Sequence, residues 1–185
     1  MRRAALLLAI LLGLSGCAPT AREPDRLELV RVLGVDGSGP VTLTGVCGAA
    51  DGAAPRGEAV GDTFSTALDE LPWSGRRELA VTSVTWLVVG PEVNLEEILL
   101  AVLREPELGA AVTVWLAPGG AAEVLAACDD PVADLELLAD QDVTAPTAAW
   151  AAGALSGGER LTLTCVTAEH GKLTTRGEAV WQKTN

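Results

Sequence analysis

The stretch from Glu78 to Gly120 limits the fold more than any other, because it sets a strand, a helix and a second strand in a row. Leu79 to Val89 is rich in Val, Thr and Trp, which suit a pleated surface, and reads as one strand. Gly90-Pro91 ends it, since Pro has no N–H to give to a ladder. Asn94 is placed to cap a helix, with Glu97 three residues on, the spacing of a capping box. Leu95, Ile98, Leu99, Val102 and Leu103 recur at i, i+3, i+4, i+7 and i+8, on one face of that helix. Glu105-Pro106 stops it. Ala111 to Ala117 is the second strand, with Val112, Val114 and Leu116 facing one way. One short helix between two strands implies a parallel crossover, so residues 79–117 form a β-α-β unit.

The rest of the chain supplies strands and short helices to surround that unit. Arg26 to Val35 and Val41 to Cys47 read as antiparallel strands joined by the turn Asp36-Gly37-Ser38-Gly39-Pro40. Asp51 to Gly57 reads as a loop. Asp62 can cap a helix that carries Phe64, Ala67, Leu68 and Leu71 on one side and ends at Pro72. Gly119–Cys128, Pro131–Leu138 and Pro146–Leu155 read as three short helices, the last closed by Gly157-Gly158. Proline suits a first helical position, where its missing donor would be unpaired anyway. Arg160 to Thr167 and Leu173 to Trp181 are strands on either side of the turn Glu169-His170-Gly171-Lys172. The expected architecture is α+β: a small mixed β-sheet with flanking helices. Residues 41–60 also align without gaps on residues 161–180, with nine of twenty positions identical. A duplicated hairpin and common strand chemistry both account for that likeness.

The first residues carry an export signal. Met1-Arg2-Arg3 is a basic start, Ala4 to Leu12 an apolar run too short to span a membrane, and Leu14-Ser15-Gly16-Cys17 ends it with small residues. Leu-Ser-Gly-Cys also matches the bacterial lipobox, in which the cysteine thiol receives diacylglycerol and becomes the new N-terminus. Residues 1–16 are then a lipoprotein-type signal peptide, Cys17 the lipid attachment site and residues 17–25 a lipidated tether. Two or more acyl chains of the palmitate kind hold a protein to a membrane where one is marginal. Removing the signal peptide would leave 11 basic against 25 acidic residues, a net charge of −14. That charge repels phosphate backbones, so nucleic acid is disfavoured as a partner.

Residues able to do chemistry are few and scattered. His170 is the only histidine, and no second His or Cys stands at ligand spacing to it. Cys47, Cys128 and Cys165 remain after lipidation, and catalysis by any of them would need His170 beside it. Export permits a disulfide, and Cys47 and Cys165, on strands of different hairpins, can be drawn facing each other. Gly34 to Gly39 lacks the G-K-[ST] ending of a phosphate loop. Asp129-Asp130 precedes Pro131 and suits a helix cap rather than an acid–base pair. No catalytic residue, metal site or cofactor site is assigned, and the chain is read as a non-enzyme.

Several segments, in order, resemble the spore germination lipoproteins of the Ger(x)C family, the C subunits of germinant receptors. Leu33-Gly34-Val35-Asp36 is similar to the family's "lGiD", and Gly61-Asp62-Thr63-Phe64 with Ala67 and Leu71 to its "G-x-T-[lf]-x-x-A-x-x-L". Arg104-Glu105-Pro106-Glu107 resembles its "R-[DE]-P-E" turn, and Gly120 to Leu125 its following helix. Pro131 to Leu138 and Gly177-Glu178-Ala179-Val180-Trp181 complete the likeness. The family's "W-D-x-x-E" after the lipidated cysteine is missing, with Ala18 to Glu23 in its place. The resemblance implies an α+β domain over residues 26–158 and, at 159–185, a C-terminal hairpin similar to the start of the family's next domain. It implies a lipid-anchored, non-enzymatic protein on the outer face of a spore's inner membrane. There it would assemble with the receptor's membrane subunits in nutrient germination. A general lipoprotein of the bacterial envelope, binding a small ligand or an envelope partner, is the alternative.

Overall fold

The structure, a computed structural model, describes residues 27–49, 54–73, 77–141 and 143–181. Among these, eight strands form one mixed sheet: β1 (Leu27–Asp36), β2 (Val41–Cys47), β3 (Arg56–Gly61), β4 (Glu78–Ala80), β5 (Trp86–Val89), β6 (Thr113–Leu116), β7 (Leu161–Glu169) and β8 (Lys172–Trp181). Their order is β3-β2-β1-β5-β6-β7-β8, with β4 beside the first residues of β1. Strands β1, β5, β6 and β7 run parallel; at the two edges β2 pairs antiparallel with β1, β3 with β2 and β8 with β7. The protein is α+β, as its patterning implies, on a larger sheet than expected.

Helices cover both faces of this sheet, because the alternation of its strands buries side chains on both. Helices α1 (Phe64–Glu70) and α2 (Leu95–Arg104) lie on one face together with α5 (Ala148–Ser156). Their buried residues share a core with Leu33, Leu43, Leu87, Val114 and Leu163. Helices α3 (Ala121–Ala126) and α4 (Pro131–Asp140) lie on the other, over Val32, Val88, Trp115 and Val166. The β7–β8 hairpin serves both cores: Leu161, Leu163 and Cys165 belong to the first, Val166 and Leu173 to the second.

The β-α-β unit forms as read, with three adjustments. The single strand expected from Leu79 to Val89 is two, β4 and β5, separated by a 3-10 turn at Val81–Ser83. Strand β1 has a bulge between Val30 and Val32, at the point where its partner changes from β4 to β5. The residues between Leu29↔Ala80 and Val32↔Trp86 are two on β1 and five on the other side, so the extra length coils. On α2, Leu95, Ile98, Leu99 and Val102 are buried, whereas Leu103 is 38% exposed and lies off the packed stripe. Asn94 caps the helix, and its side-chain amide donates to the Glu97 carboxylate.

Elsewhere the cap of α1 is Thr63, not Asp62: Thr63 Oγ1 accepts from Thr66 N–H, and Thr66 Oγ1 accepts from Thr63 N–H. Pro146 stands outside α5, where its carbonyl accepts from Val114 N–H in the sheet, and Thr147 is the cap. Pro131 opens α4 behind the Asp130 cap, as expected. Residues 56–57, expected as loop, begin strand β3. The two similar segments prove to be antiparallel hairpins with a shared register. Val41↔Gly61, Thr42↔Val60, Leu43↔Ala59 and Thr44↔Glu58 in one match Leu161↔Trp181, Thr162↔Val180, Leu163↔Ala179 and Thr164↔Glu178 in the other.

Candidate functional site

Ligands of open α/β sheets gather outside the carboxyl ends of parallel strands, so that edge is where a site would form. Here β1 ends in Asp36, β5 is followed by Gly90, and β6 by Ala117-Pro118-Gly119-Gly120 and then α3. The Asp36 carboxylate turns into the N-terminus of α3 and accepts two backbone hydrogen bonds, Oδ1 from Ala121 N–H at 2.8 Å and Oδ2 from Ala122 N–H at 2.7 Å. A helix N-terminus favours negative charge and carries unpaired donors, so the chain fills this place with its own side chain. Gly90 makes room for it: a Cβ there would collide with Asp36 Oδ1. Gly120 adopts φ 98°, which lets the chain enter α3 at that angle.

Beside this latch a cleft of about 690 Å³ opens between Ser38 in the β1–β2 turn, residues 91–96 leading into α2, the end of α5 and the end of β8. Its size is in the range of small-molecule sites. One rim is acidic, with Glu92 and Glu96; the other is apolar, with Leu155, Val180 and Trp181. The side chains of Asn94 and Glu97 already engage the first turn of α2, so that helix end does not invite an anion. The cleft suits a molecule with an apolar body and a cationic or donor head. Neither a His nor a Cys lines it.

The remaining candidates are not brought together. His170 sits in the β7–β8 turn, exposed, with φ 54°. Among the described residues no group of three or more His, Cys, Asp or Glu could hold a metal ion. Cys47, Cys128 and Cys165 are free and buried. Cys47 and Cys165 do not face each other, because β1, β5 and β6 stand between β2 and β7. Four strand spacings amount to roughly 19 Å, whereas a disulfide needs Cα atoms within about 7 Å. Asp130 caps α4, and Asp134 Oδ2 accepts from Leu173 N–H at 2.7 Å, so these acids hold structure in place. Cys17 lies outside the described residues. The Asp36 latch and the cleft are features that sequence reading missed. The "LGVD" segment pointed at the first, but nothing in the sequence pairs it with residues 121–122. No protein-family model matches the chain, and no curated protein or solved structure matches it either.

Burial governs the thiols. It pushes Cys47 from the ordinary 9.0 up to about 12, with Glu28 adding to the effect. Cys128 is pushed up to about 11, chiefly by burial, then by Asp134. Such thiols stay protonated and are poor nucleophiles. Below about pH 8 both states keep the proton and nothing is lost. Above it the unfolded chain ionises first, the native state binds more protons, and stability falls as pH rises toward the folded values. The expected slope approaches roughly 1.4 kcal/mol per pH unit for each thiol. The chain has no tyrosine to obscure this window. Urea midpoints in reductant from pH 7 to 11 should stay flat to about pH 8 and then drop, and Cys47→Ala should flatten part of the drop. An unchanged slope in that variant would refute the assignment.

Proposed function

We propose that this is an extracytoplasmic lipoprotein, anchored through diacylglycerol on Cys17, with a non-enzymatic role in spore germination like that of germinant-receptor C subunits. The observation that carries the reading is the lipobox Leu14-Ser15-Gly16-Cys17 behind a basic start and a short apolar run. The order of the family-like segments along the chain supports it. Leu33–Asp36 ends β1, Gly61–Phe64 joins β3 to α1, residues 104–107 leave α2, Gly120–Leu125 enters α3, and Gly177–Trp181 ends β8. No helix among the described residues is long and apolar enough to cross a membrane. In this reading the acyl chains supply the attachment, and the partners are the membrane subunits of the receptor.

The test is a tagged pull-down from detergent-solubilised spore inner membrane, with a Cys17→Ala variant alongside. Wild type should bring down receptor subunits and carry the mass of a diacylglyceryl group. The variant should be released to the soluble fraction and bring down none. Membrane attachment without receptor subunits would remove the germination role and leave a general envelope lipoprotein. The cleft at the start of α2 favours that second reading, in which a small ligand with an apolar body is bound. A ligand carried through purification and lost on Trp181→Ala would support it.

A further inference from the structure

The outer face of α5, formed by Ala149, Trp150, Gly153 and Ser156, is uncharged where a surface helix usually carries charge. No residue from Val143 to Gly158 is charged, in a chain with 25 acidic and 13 basic residues. A helix apolar all round is ordinarily buried, yet Ala149, Trp150 and Gly153 are exposed, Trp150 at 57%. The two small residues leave the indole projecting. Helix α2, which packs against α5, exposes Leu100 at 37% and Leu103 at 38%.

Topology puts this face at one end of the molecule. The Thr113↔Thr147 bridge and the bond from Ala148 N–H to Val112 C=O hold the first turn of α5 at the amino end of β6. Helix α2 connects the carboxyl end of β5 to the amino end of β6, so Leu103, in its last turn, comes to the same end. Strand β1, parallel to β5 and β6, starts there too, at Leu27. Nine residues, 18–26, separate Leu27 from Cys17, so the two lie ten residue steps and at most ~36 Å apart. A lipid on Cys17 therefore keeps Leu27, and the end of the sheet it marks, within that distance of the bilayer.

We propose that the outer face of α5 around Trp150 rests on the bilayer surface, with the indole at headgroup level. The proposal depends on the lipidation of Cys17 proposed above. Trp favours the boundary between headgroups and acyl chains. An uncharged helix can approach lipid where the acidic remainder of the surface would be repelled by anionic headgroups. The occupant is accordingly a zwitterionic lipid interface.

The lipidated full-length chain is reconstituted in phosphatidylcholine vesicles whose acyl chains carry bromine near the carbonyl, and tryptophan fluorescence is compared with unbrominated vesicles. Wild type should be quenched, and Trp150→Phe, an exposed substitution that keeps the fold, should lose that quenching while melting at the same temperature. Equal quenching in both proteins overturns the proposal. So does a Trp150 shielded from acrylamide in detergent by a protein that sediments as a dimer, which would make a second copy the occupant. A mass spectrum of the same sample separates the two levels. A chain without the diacylglyceryl group sinks both the anchor and the docking, and a lipidated chain without Trp150-dependent quenching sinks the docking alone.

Discussion

Asp36→Ala should lower the unfolding free energy by about 3 kcal/mol, two hydrogen bonds to a charged acceptor at about 1.5 kcal/mol each. The carboxylate is bonded through both oxygens to Ala121 and Ala122 and is half-buried, so the figure sits at the low end of the range. Asp36→Asn separates charge from shape. Its oxygen can keep one bond, but its NH₂ group then meets a backbone N–H, and one donor is left without an acceptor. That variant should lose about half as much or more. Gly90→Ala tests the same latch from the other side, because its Cβ would collide with Asp36 Oδ1. In the wild-type background it should be costly, whereas in Asp36→Ala it should add little, since the colliding oxygen is gone. Such non-additivity is what a direct contact produces. Urea unfolding of wild type, the three single variants and the Asp36→Ala/Gly90→Ala double variant reads all three effects. A loss below about 1 kcal/mol for Asp36→Ala would mean that water replaces the carboxylate and that the latch does not hold α3.

Asp36 also shows where sequence reading stops. Asp-Gly-Ser-Gly-Pro announces a turn by composition, and the β1–β2 hairpin turn is there. The side chain's real partners lie 85 and 86 residues away, and no periodicity links them. Local chemistry was legible where the cause is local: Asn94 and Asp130 cap because their acceptors meet the backbone three residues on. It misled where a neighbouring strand decides. Val81-Thr82-Ser83 has strand composition, but β1 offers too few residues across from it, and the excess coils. Strand β3 was hidden because it follows Gly and Pro residues and is short. Yet Arg56-Gly57-Glu58-Ala59-Val60 is identical to Arg176-Gly177-Glu178-Ala179-Val180, which reads as strand. Taking the internal likeness at face value would have placed β3. The cleft was not legible, because its walls come from four separate parts of the chain.

The other large effect is expected at Trp115. It is 1% exposed, on a strand with neighbours on both sides, and is the bulkiest of the fully buried side chains. It belongs to the core beneath α3 and α4 with Leu125, Leu135 and Val166, and its Nε1–H donates to Thr113 Oγ1 at 3.1 Å. Trp115→Ala removes the transfer energy of an indole and leaves a cavity, together about 3–5 kcal/mol. A domain is stable by only ~5–15 kcal/mol in total, so the variant should unfold at markedly lower urea. Trp115→Phe keeps most of the volume and loses the indole bond, and should cost about 1–2 kcal/mol. The gap between the two measures packing, and the cost of the second measures the bond with its small loss of volume. Cys128 reports the cavity independently, since it lies buried in the same core. Its thiol should react with a disulfide reagent faster in Trp115→Ala than in wild type at equal fractions folded. If Trp115→Ala costs only about 1 kcal/mol and Cys128 stays protected, the helices have closed over the gap. The layer that carries α3, and with it the Asp36 latch, would then be held to the sheet by the latch more than by its core.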